Sequence, residues 1–206
     1  MLEWMMNWCV SNRAHSWLML HGAVVEKNGC GIILPAPPGS GKSTLCAALV
    51  CRGWRLLSDE LTLVRHADSI LAPLPRPVSL KNASIDVIHA FAPDAVFGPL
   101  AYGTAKGTVG HLRAPKNSIQ RANEYAAPLA IVFPRWEAGA ATVLTPLPKA
   151  RSFMRVADNA FNYMLLGEHG FQTLGKLTEN CDGYEFVYSR LDEAMLTFDA
   201  MVGEAA

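Results

Sequence analysis

The chain has 206 residues, of which 50% are apolar and 17% are charged, and this composition fits one globular domain that can bury a core. Lysine and arginine together number 18, as do aspartate and glutamate, so no net charge attracts nucleic acid or an anionic membrane. No apolar run reaches the ~18 residues of a membrane span, and the N-terminal residues lack the features of a signal peptide. The five cysteines lack CxxC spacing, which favours reduced thiols. We therefore expect a cytoplasmic protein with no nucleic-acid partner and no membrane span.

Apolar residues near the N-terminus recur at helical spacing and predict an amphipathic helix over residues 1–17. The strand "LMLHGAVVE" follows, and the Asn28-Gly29 turn joins it to the strand "CGIILPA" in a hairpin. A helix over residues 42–52 ends at Gly53, and "WRLLSDELTLVRH" returns as one strand.

The middle of the chain is less regular. A short helix, "SIDVIHAFA", precedes residues 99–120, which have no clear period and are predicted to form a long loop. The C-terminal third alternates strands and helices, and the fold predicted for the chain is α/β. The predicted elements are the strands "LAIVFPRW", "ATVLTPL" and "YEFVYS", and helices over residues 150–166, residues 170–179 and from Asp192, with Ser189 as a cap. Within the helix over 150–166, the buried face is assigned to Phe153, Ala157, Ala160, Phe161 and Met164.

The segment "GSGKST" places glycine, lysine and hydroxyl residues between a strand and a helix, which is the pattern of a phosphate-binding P-loop. Backbone N–H groups at a helix N-terminus attract phosphate. In this pattern Lys42 contacts the β- and γ-phosphates and the Ser43 hydroxyl ligates Mg²⁺. The predicted nucleotide-binding residues are Gly39, Ser40, Gly41, Lys42, Ser43 and Thr44. Ala36 replaces the first glycine of the usual pattern, but the amides that cradle phosphate follow from Gly39 onward.

Asp59 and Glu60 stand side by side in an otherwise apolar strand. Two carboxylates there are costly unless they meet a metal ion or transfer a proton. Because neighbouring strand residues point to opposite faces, the pair is predicted to lie at a strand end, where both can reach the phosphate site.

The stretch "HGAVVEKNGCGIILPAPPGSGKST" resembles the segment of HPr serine kinase/phosphorylases that runs from a His-Gly pair to the P-loop. "WRLLSDELTLV" is similar to that family's acidic segment, with Trp54 where a histidine is usual. The stretches "PRPVSLKNASIDVI" and "KGTVGHLR" resemble more closely a group of related proteins from biosynthetic clusters, the HprK-related kinase A group.

This resemblance implies a P-loop kinase fold of the HPr kinase and phosphoenolpyruvate-carboxykinase-like type, with a central mixed sheet flanked by helices. It implies Asp59 as the general base, His21 beside the acidic pair, and Glu60 with Ser43 and Asp59 as Mg²⁺ ligands. The cofactors implied are ATP and Mg²⁺. Residues 1–206 are interpreted as a single P-loop kinase-like domain, in which residues 18–206 are catalytic and residues 1–17 are a remnant of a junction or an interface of a homo-oligomer.

Phosphoryl transfer also needs positive charge around the transferred group, beyond that of the P-loop lysine. The candidates are Arg76, Lys81, Lys106 and Arg113, and the loop that carries Lys106 is interpreted as a lid. The family's glutamate before Arg-Gly is missing ahead of Lys106-Gly107.

The leading hypothesis is an ATP- and Mg²⁺-dependent kinase whose acceptor is a serine of an unidentified protein or peptide. A kinase for free serine or another small hydroxyl compound stays open, because the site needs only one positioned hydroxyl. The alternative from another class is a nucleotide-binding accessory module of a biosynthetic cluster with little catalysis. Nucleotide hydrolysis coupled to motion ranks last, because the sequence shows no water-positioning glutamine.

Overall fold

The structure is a computed structural model that describes residues 16–37 and 39–203. The helix predicted over residues 1–17 lies outside the described residues, except at Ser16 and Trp17, and Trp17 begins the first strand. No helix within the described ranges has both the length and the apolar character needed to cross a membrane.

The first two strands form the predicted hairpin. β1 (Trp17–Lys27) pairs antiparallel with β2 (Cys30–Pro35). Asn28 and Gly29 have φ angles of 55° and 82°, and two positive φ angles in a two-residue turn match the right-handed twist of the flanking strands.

The next elements wrap around β1. The P-loop segment leads from β2 into α1 (Lys42–Cys51), which is followed by β3 (Arg55–Ser58) and β4 (Leu61–Arg65). Both β3 and β4 pair antiparallel with β1, on the edge opposite β2, so β2 and β3 run parallel and α1 connects them. The strand predicted from "WRLLSDELTLVRH" is therefore present in two parts, and Asp59 and Glu60 lie in the break.

One mixed sheet organises the chain, with the strand order β10-β11-β9-β2-β1-β4-β5 and β3 beside β1. The remaining strands of this sheet are β5 (Leu71–Ala72), β9 (Ala127–Trp136), β10 (Val143–Leu147) and β11 (Asp182–Tyr188). β9 runs parallel to both β2 and β11, so the carboxyl ends of these three strands meet at one edge. The C-terminal strand predictions are thus confirmed.

Helices cover both faces of this sheet. On one face, Val25 and Ile32 pack in a core with α1 and the last helix. On the other face, Leu20 and Ile33 pack with two C-terminal helices. The α/β prediction, with a central mixed sheet flanked by helices, is therefore confirmed. The longer C-terminal helices are α4 (Lys149–Asp158), α6 (Glu168–Asn180) and α7 (Leu191–Gly203).

The middle of the chain contains β6 (Val78–Lys81) and α2 (Ala83–Phe91). The prediction of a long loop over residues 99–120 is wrong. This segment forms β7 (Ala101–Thr104), β8 (Gly107–Leu112) and α3 (Lys116–Gln120). β6, β8 and β7 make a small antiparallel sheet. All four residues of β7 are exposed, so the apolar alternation that predicts a strand is missing from its sequence.

The helix predicted over residues 150–166 is also wrong, because α4 ends at Asp158 and a short α5 (Tyr163–Leu166) follows separately. Asn162 lies buried between them, and its side chain accepts a hydrogen bond from the Met19 amide at 2.9 Å and donates to the Trp17 carbonyl at 2.8 Å. A side chain that bonds to a neighbouring strand fixes the chain in a non-helical path.

Two side chains assigned to the buried face of that predicted helix are exposed. Phe161 is 51% exposed and Met164 is 87% exposed, whereas Phe153, Ala157 and Ala160 are partly buried against the core. Ser189 also differs from its predicted role as a helix cap, because its hydroxyl donates to the Ala140 carbonyl at 2.8 Å.

Candidate active site

The P-loop turns sharply between β2 and α1. Gly39 and Gly41 have φ angles of 86° and 87°, a conformation that glycine adopts without the strain of other residues. Gly41 directly precedes α1, and its carbonyl accepts the Leu45 amide at 2.9 Å. The first amides of the helix have no helical partner, so they can bind an anion such as phosphate.

A cleft of ≈ 320 Å³ lies over this loop. All the predicted nucleotide-binding residues line it, together with Ala36 and Pro37. The other lining residues come from separate elements and are His21, Glu60, Ser79, Lys81 and Ser84. The structure therefore brings the P-loop, Glu60 of the acidic break and the β6 strand to one site.

Asp59 lies just below the cleft and is 4% exposed. One carboxylate oxygen accepts the Ser43 hydroxyl at 3.4 Å, and the other accepts the Ser79 amide at 3.2 Å. Burial raises the pKa of Asp59, Lys42 opposes this shift, and Glu60 adds to it. A carboxylate whose pKa is raised is a better proton acceptor at neutral pH than one in water.

Glu60 reaches the cleft because the chain turns out of the sheet there. Its φ of 77° is uncommon for a residue with a side chain and costs about 1–3 kcal/mol, which the surrounding structure must offset. The Glu60 carbonyl accepts the Gly22 amide at 3.3 Å, and this bond ties the break to β1. Gly22 itself allows close packing, because a Cβ there would lie 3.1 Å from the Leu34 carbonyl oxygen.

His21 lines the same cleft at the centre of β1. Burial is the main cause of its lowered pKa; Lys42, Lys81 and Lys106 lower it further, and Glu60 opposes them. A pKa below 6.5 leaves the imidazole neutral at pH 7, so it can exchange a hydrogen bond without adding charge.

The four candidate cations are not together. Lys81 lines the cleft, and Lys106, in the turn between β7 and β8, is close enough to lower the pKa of His21. Arg113 lines a different cleft of ≈ 170 Å³ with Asp94. Arg76 is outside the described lining of the P-loop cleft, and its Nη1 is buried without a hydrogen-bond partner in the described part of the chain.

The other side of the P-loop is held by two aromatic residues that the sequence analysis did not select. The Trp136 amide donates to the Ser40 carbonyl at 3.0 Å, and the Tyr188 hydroxyl donates to the Gly41 carbonyl at 3.1 Å. Both residues lie at the carboxyl ends of strands parallel to β2. Their position at strand ends is the signal that could have identified them, because ligands bind at these ends of open α/β sheets.

The oxygen atoms near Ser43 fit a magnesium ion. Its hydroxyl lies 3.4 Å from Asp59, and Glu60 lines the cleft beside them. Mg²⁺ prefers one or two carboxylates, together with phosphate oxygens and water, over a cage made only of protein atoms. The residues present are therefore chemically suited to a magnesium-bound nucleotide.

Parts of this chain are similar to known proteins. A family model described as "ScmC: SynChlorMet cassette protein ScmC" matches residues 1–78, which include the P-loop and the acidic pair. The HPr kinase/phosphorylase of Clostridium botulinum (strain Eklund 17B / Type B) is 38% identical over 52 residues, which are 25% of this chain and 17% of that protein. The HPr kinase/phosphorylase of Enterococcus faecalis (strain ATCC 700802 / V583) is 33% identical over 89 residues, which are 38% of this chain and 28% of that protein.

These sequence matches thus span less than a third of either relative. Among solved structures, the Hpr(Ser) kinase/phosphatase from Coxiella burnetii aligns with 91% of this chain and 95% of that chain. That alignment has a TM-score of 0.40 and 11% sequence identity. The closer likeness to the HprK-related kinase A group stays a prediction. Over these matched segments the chain is similar to the HPr kinase/phosphorylases, as the resemblance of its P-loop segment predicts.

Proposed function

We propose that the chain catalyses Mg²⁺-dependent transfer of the γ-phosphoryl group of ATP to a hydroxyl group, with a serine of a protein or peptide as the acceptor. The observation that carries the proposal is the buried Asp59, whose carboxylate meets the P-loop Ser43 at 3.4 Å directly below the cleft. A site that only binds nucleotide does not need a buried carboxylate with a raised pKa at this position.

Each residue has a role in this proposal. The P-loop amides and Lys42 hold the β- and γ-phosphates, and Lys81 adds positive charge at the cleft wall. Ser43 and Glu60 would hold Mg²⁺, which would neutralise charge that develops on the phosphate oxygens. Asp59 accepts the proton of the acceptor hydroxyl, and the neutral His21 orients the groups around the acidic pair.

A protein or peptide acceptor is supported by the exposure of the region beside the cleft. Residues 101–106 of the β7–β8 hairpin are all exposed, so a macromolecule can approach. The related HPr kinase/phosphorylases carry a protein substrate in their name. The homo-oligomer and the cytoplasmic location stay predictions.

The test is transfer of labelled γ-phosphate from Mg-ATP in a lysate of the source cell, by the native protein, Lys42→Ala and Asp59→Asn. We expect a labelled protein or peptide with the native protein and none with either variant. A labelled small product would replace the acceptor with a small hydroxyl compound. ATP binding without any labelled product would overturn the kinase proposal and favour the accessory module.

A further inference from the structure

A second groove adjoins the P-loop on the side away from Asp59. It has a volume of ≈ 680 Å³ and is formed at the carboxyl ends of β9 and β11. It is lined by Trp136, by residues 138–142, and by Ser189, Arg190 and Glu193 near the start of α7. The proposed phosphoryl transfer assigns no role to this groove.

The groove begins beside Ser40 and Gly41 of the P-loop. The Trp136 amide donates to Ser40 at 3.0 Å, and a Cβ on Gly41 would lie 2.9 Å from the Trp136 Cβ. The catalytic carboxylates stand on the opposite edge of β2, beyond β1. A nucleotide whose γ-phosphate faces Asp59 must therefore extend its other end toward the carboxyl ends of β9 and β11, where α/β sheets generally bind ligands.

The Trp136 indole is placed to contact a flat ring. Trp136 is 53% exposed. Its Nε1–H donates to the Ser189 carbonyl at 3.2 Å, and this bond fixes the orientation of the ring. The groove walls are held by further bonds, from Thr142 to Glu193 at 2.6 Å and from Ser189 to the Ala140 carbonyl. The site is thus largely formed before a ligand arrives, which lowers the entropic cost of binding.

We propose that this groove binds the base of the nucleoside triphosphate, with Trp136 as the stacking surface. The inference rests on the proposed function, because it needs the triphosphate in the P-loop. Stacking of a base on an aromatic side chain is sequence-tolerant, since every base has a π face, and its loss weakens binding about 5- to 150-fold.

The test compares Mg-ATP with magnesium-bound inorganic triphosphate, which carries the phosphates without a base. Dissociation constants for both ligands are measured by calorimetry for the native protein, Trp136→Ala and Trp136→Phe. Alanine keeps the main-chain amide that bonds to Ser40 and the Cβ beside Gly41, so the phosphate site is preserved. We expect Trp136→Ala to weaken ATP binding about 5- to 150-fold and to leave triphosphate binding unchanged, and Trp136→Phe to retain most of the ATP affinity.

Tyr125→Ala is the matched control, because Tyr125 is 48% exposed and lies just before the opposite end of β9. It should change neither constant. Equal affinity of the native protein for ATP and triphosphate would overturn the base site and leave the proposed function standing. An equal loss of both ligands in Trp136→Ala would also overturn it, since the residue would then act only on the P-loop. If the native protein binds neither ATP nor triphosphate, the proposed function itself is wrong.

Discussion

On the β1–β3 side of the P-loop, the neighbouring side chains are titratable: His21, Asp59 and Glu60 all stand within or directly below the cleft. On the β9–β11 side, the neighbours are Trp136 and Tyr188, which hold the loop through an amide and a hydroxyl. The first side supplies groups that can move protons and bind a metal ion, and the second side fixes the shape of the loop. Substitutions on the two sides should therefore fail in different ways.

The largest expected effect is on the titratable side. Asp59→Asn should lower phosphoryl transfer about 10²–10⁴-fold, because the general base is lost. ATP binding, measured by calorimetry, should persist. Because burial raises the pKa of Asp59, its charged form opposes folding at pH 7, so the neutral variant should melt at the same or a higher temperature.

Two further variants complete that test. Asp158→Asn replaces an exposed carboxylate on α4 and should leave transfer unchanged. Glu60→Gln should raise the Mg²⁺ concentration that transfer requires, because a carboxylate ligand of the ion is lost. If Asp59→Asn instead raises the Mg²⁺ requirement while Glu60→Gln abolishes transfer, the two carboxylates have the opposite roles from those proposed.

The second prediction concerns Gly41→Ala, which introduces a steric clash with the aromatic residues beside the P-loop. At Gly41, alanine would place a Cβ 2.8 Å from the Tyr188 hydroxyl and 2.9 Å from the Trp136 Cβ, with φ at 87°. Backbone strain costs about 1–3 kcal/mol, and overpacking adds about 1–3 kcal/mol. We expect a large loss of stability in urea unfolding, together with loss of ATP binding.

Gly39→Ala is the matched control for this contact. Gly39 has nearly the same φ, 86°, but a Cβ there would lie within 4 Å of no other group among the described residues. Gly39→Ala should therefore lower the free energy of unfolding only by the backbone strain of about 1–3 kcal/mol. If the two variants have equal stability, the aromatic pair does not constrain the loop.

The third prediction separates the candidate cations. Lys81→Ala should lower transfer about 10-fold, since a charge at the cleft wall that stabilises the transition state by ~1.4 kcal/mol accounts for that factor. Arg113→Ala should not change the rate, because Arg113 lines the other cleft. Rates are compared at saturating ATP and acceptor. An equal decrease in both variants would mean that the charge acts at long range and not in the cleft.

Sequence reasoning succeeded where a local rule determines structure. The turn at Asn28-Gly29 and the P-loop before Lys42 both need positive φ angles, which asparagine and glycine adopt most readily. The residue types therefore predict both features. The acidic pair is predicted at a strand end because neighbouring strand residues point to opposite faces, and both residues lie in the break between β3 and β4. These rules depend on a few neighbouring residues.

Sequence reasoning failed where distant residues decide. The helix predicted over residues 150–166 is broken by Asn162, whose partners Met19 and Trp17 are about 140 positions away along the chain. β7 is exposed and, among the described strands, pairs with β8 alone, so its strand character cannot be seen in an apolar pattern. Trp136 and Tyr188 reach the P-loop only because β9 runs parallel to β2 and β11 lies beside β9, and no local pattern determines that order.

The smallest expected effect is the removal of one hydrogen bond on the aromatic side. Tyr188→Phe deletes the hydroxyl that donates to the Gly41 carbonyl at 3.1 Å and keeps the ring stacked on Phe186. Because the same carbonyl also accepts the Leu45 amide at 2.9 Å, it retains a partner, and the cost should be about 0.5–1.5 kcal/mol. Urea unfolding measures this loss, and the transfer rate should change less than in Lys81→Ala. A decrease in transfer as large as that of Asp59→Asn would mean that Tyr188 takes part in the chemistry, and the division between the two sides of the P-loop would then be wrong.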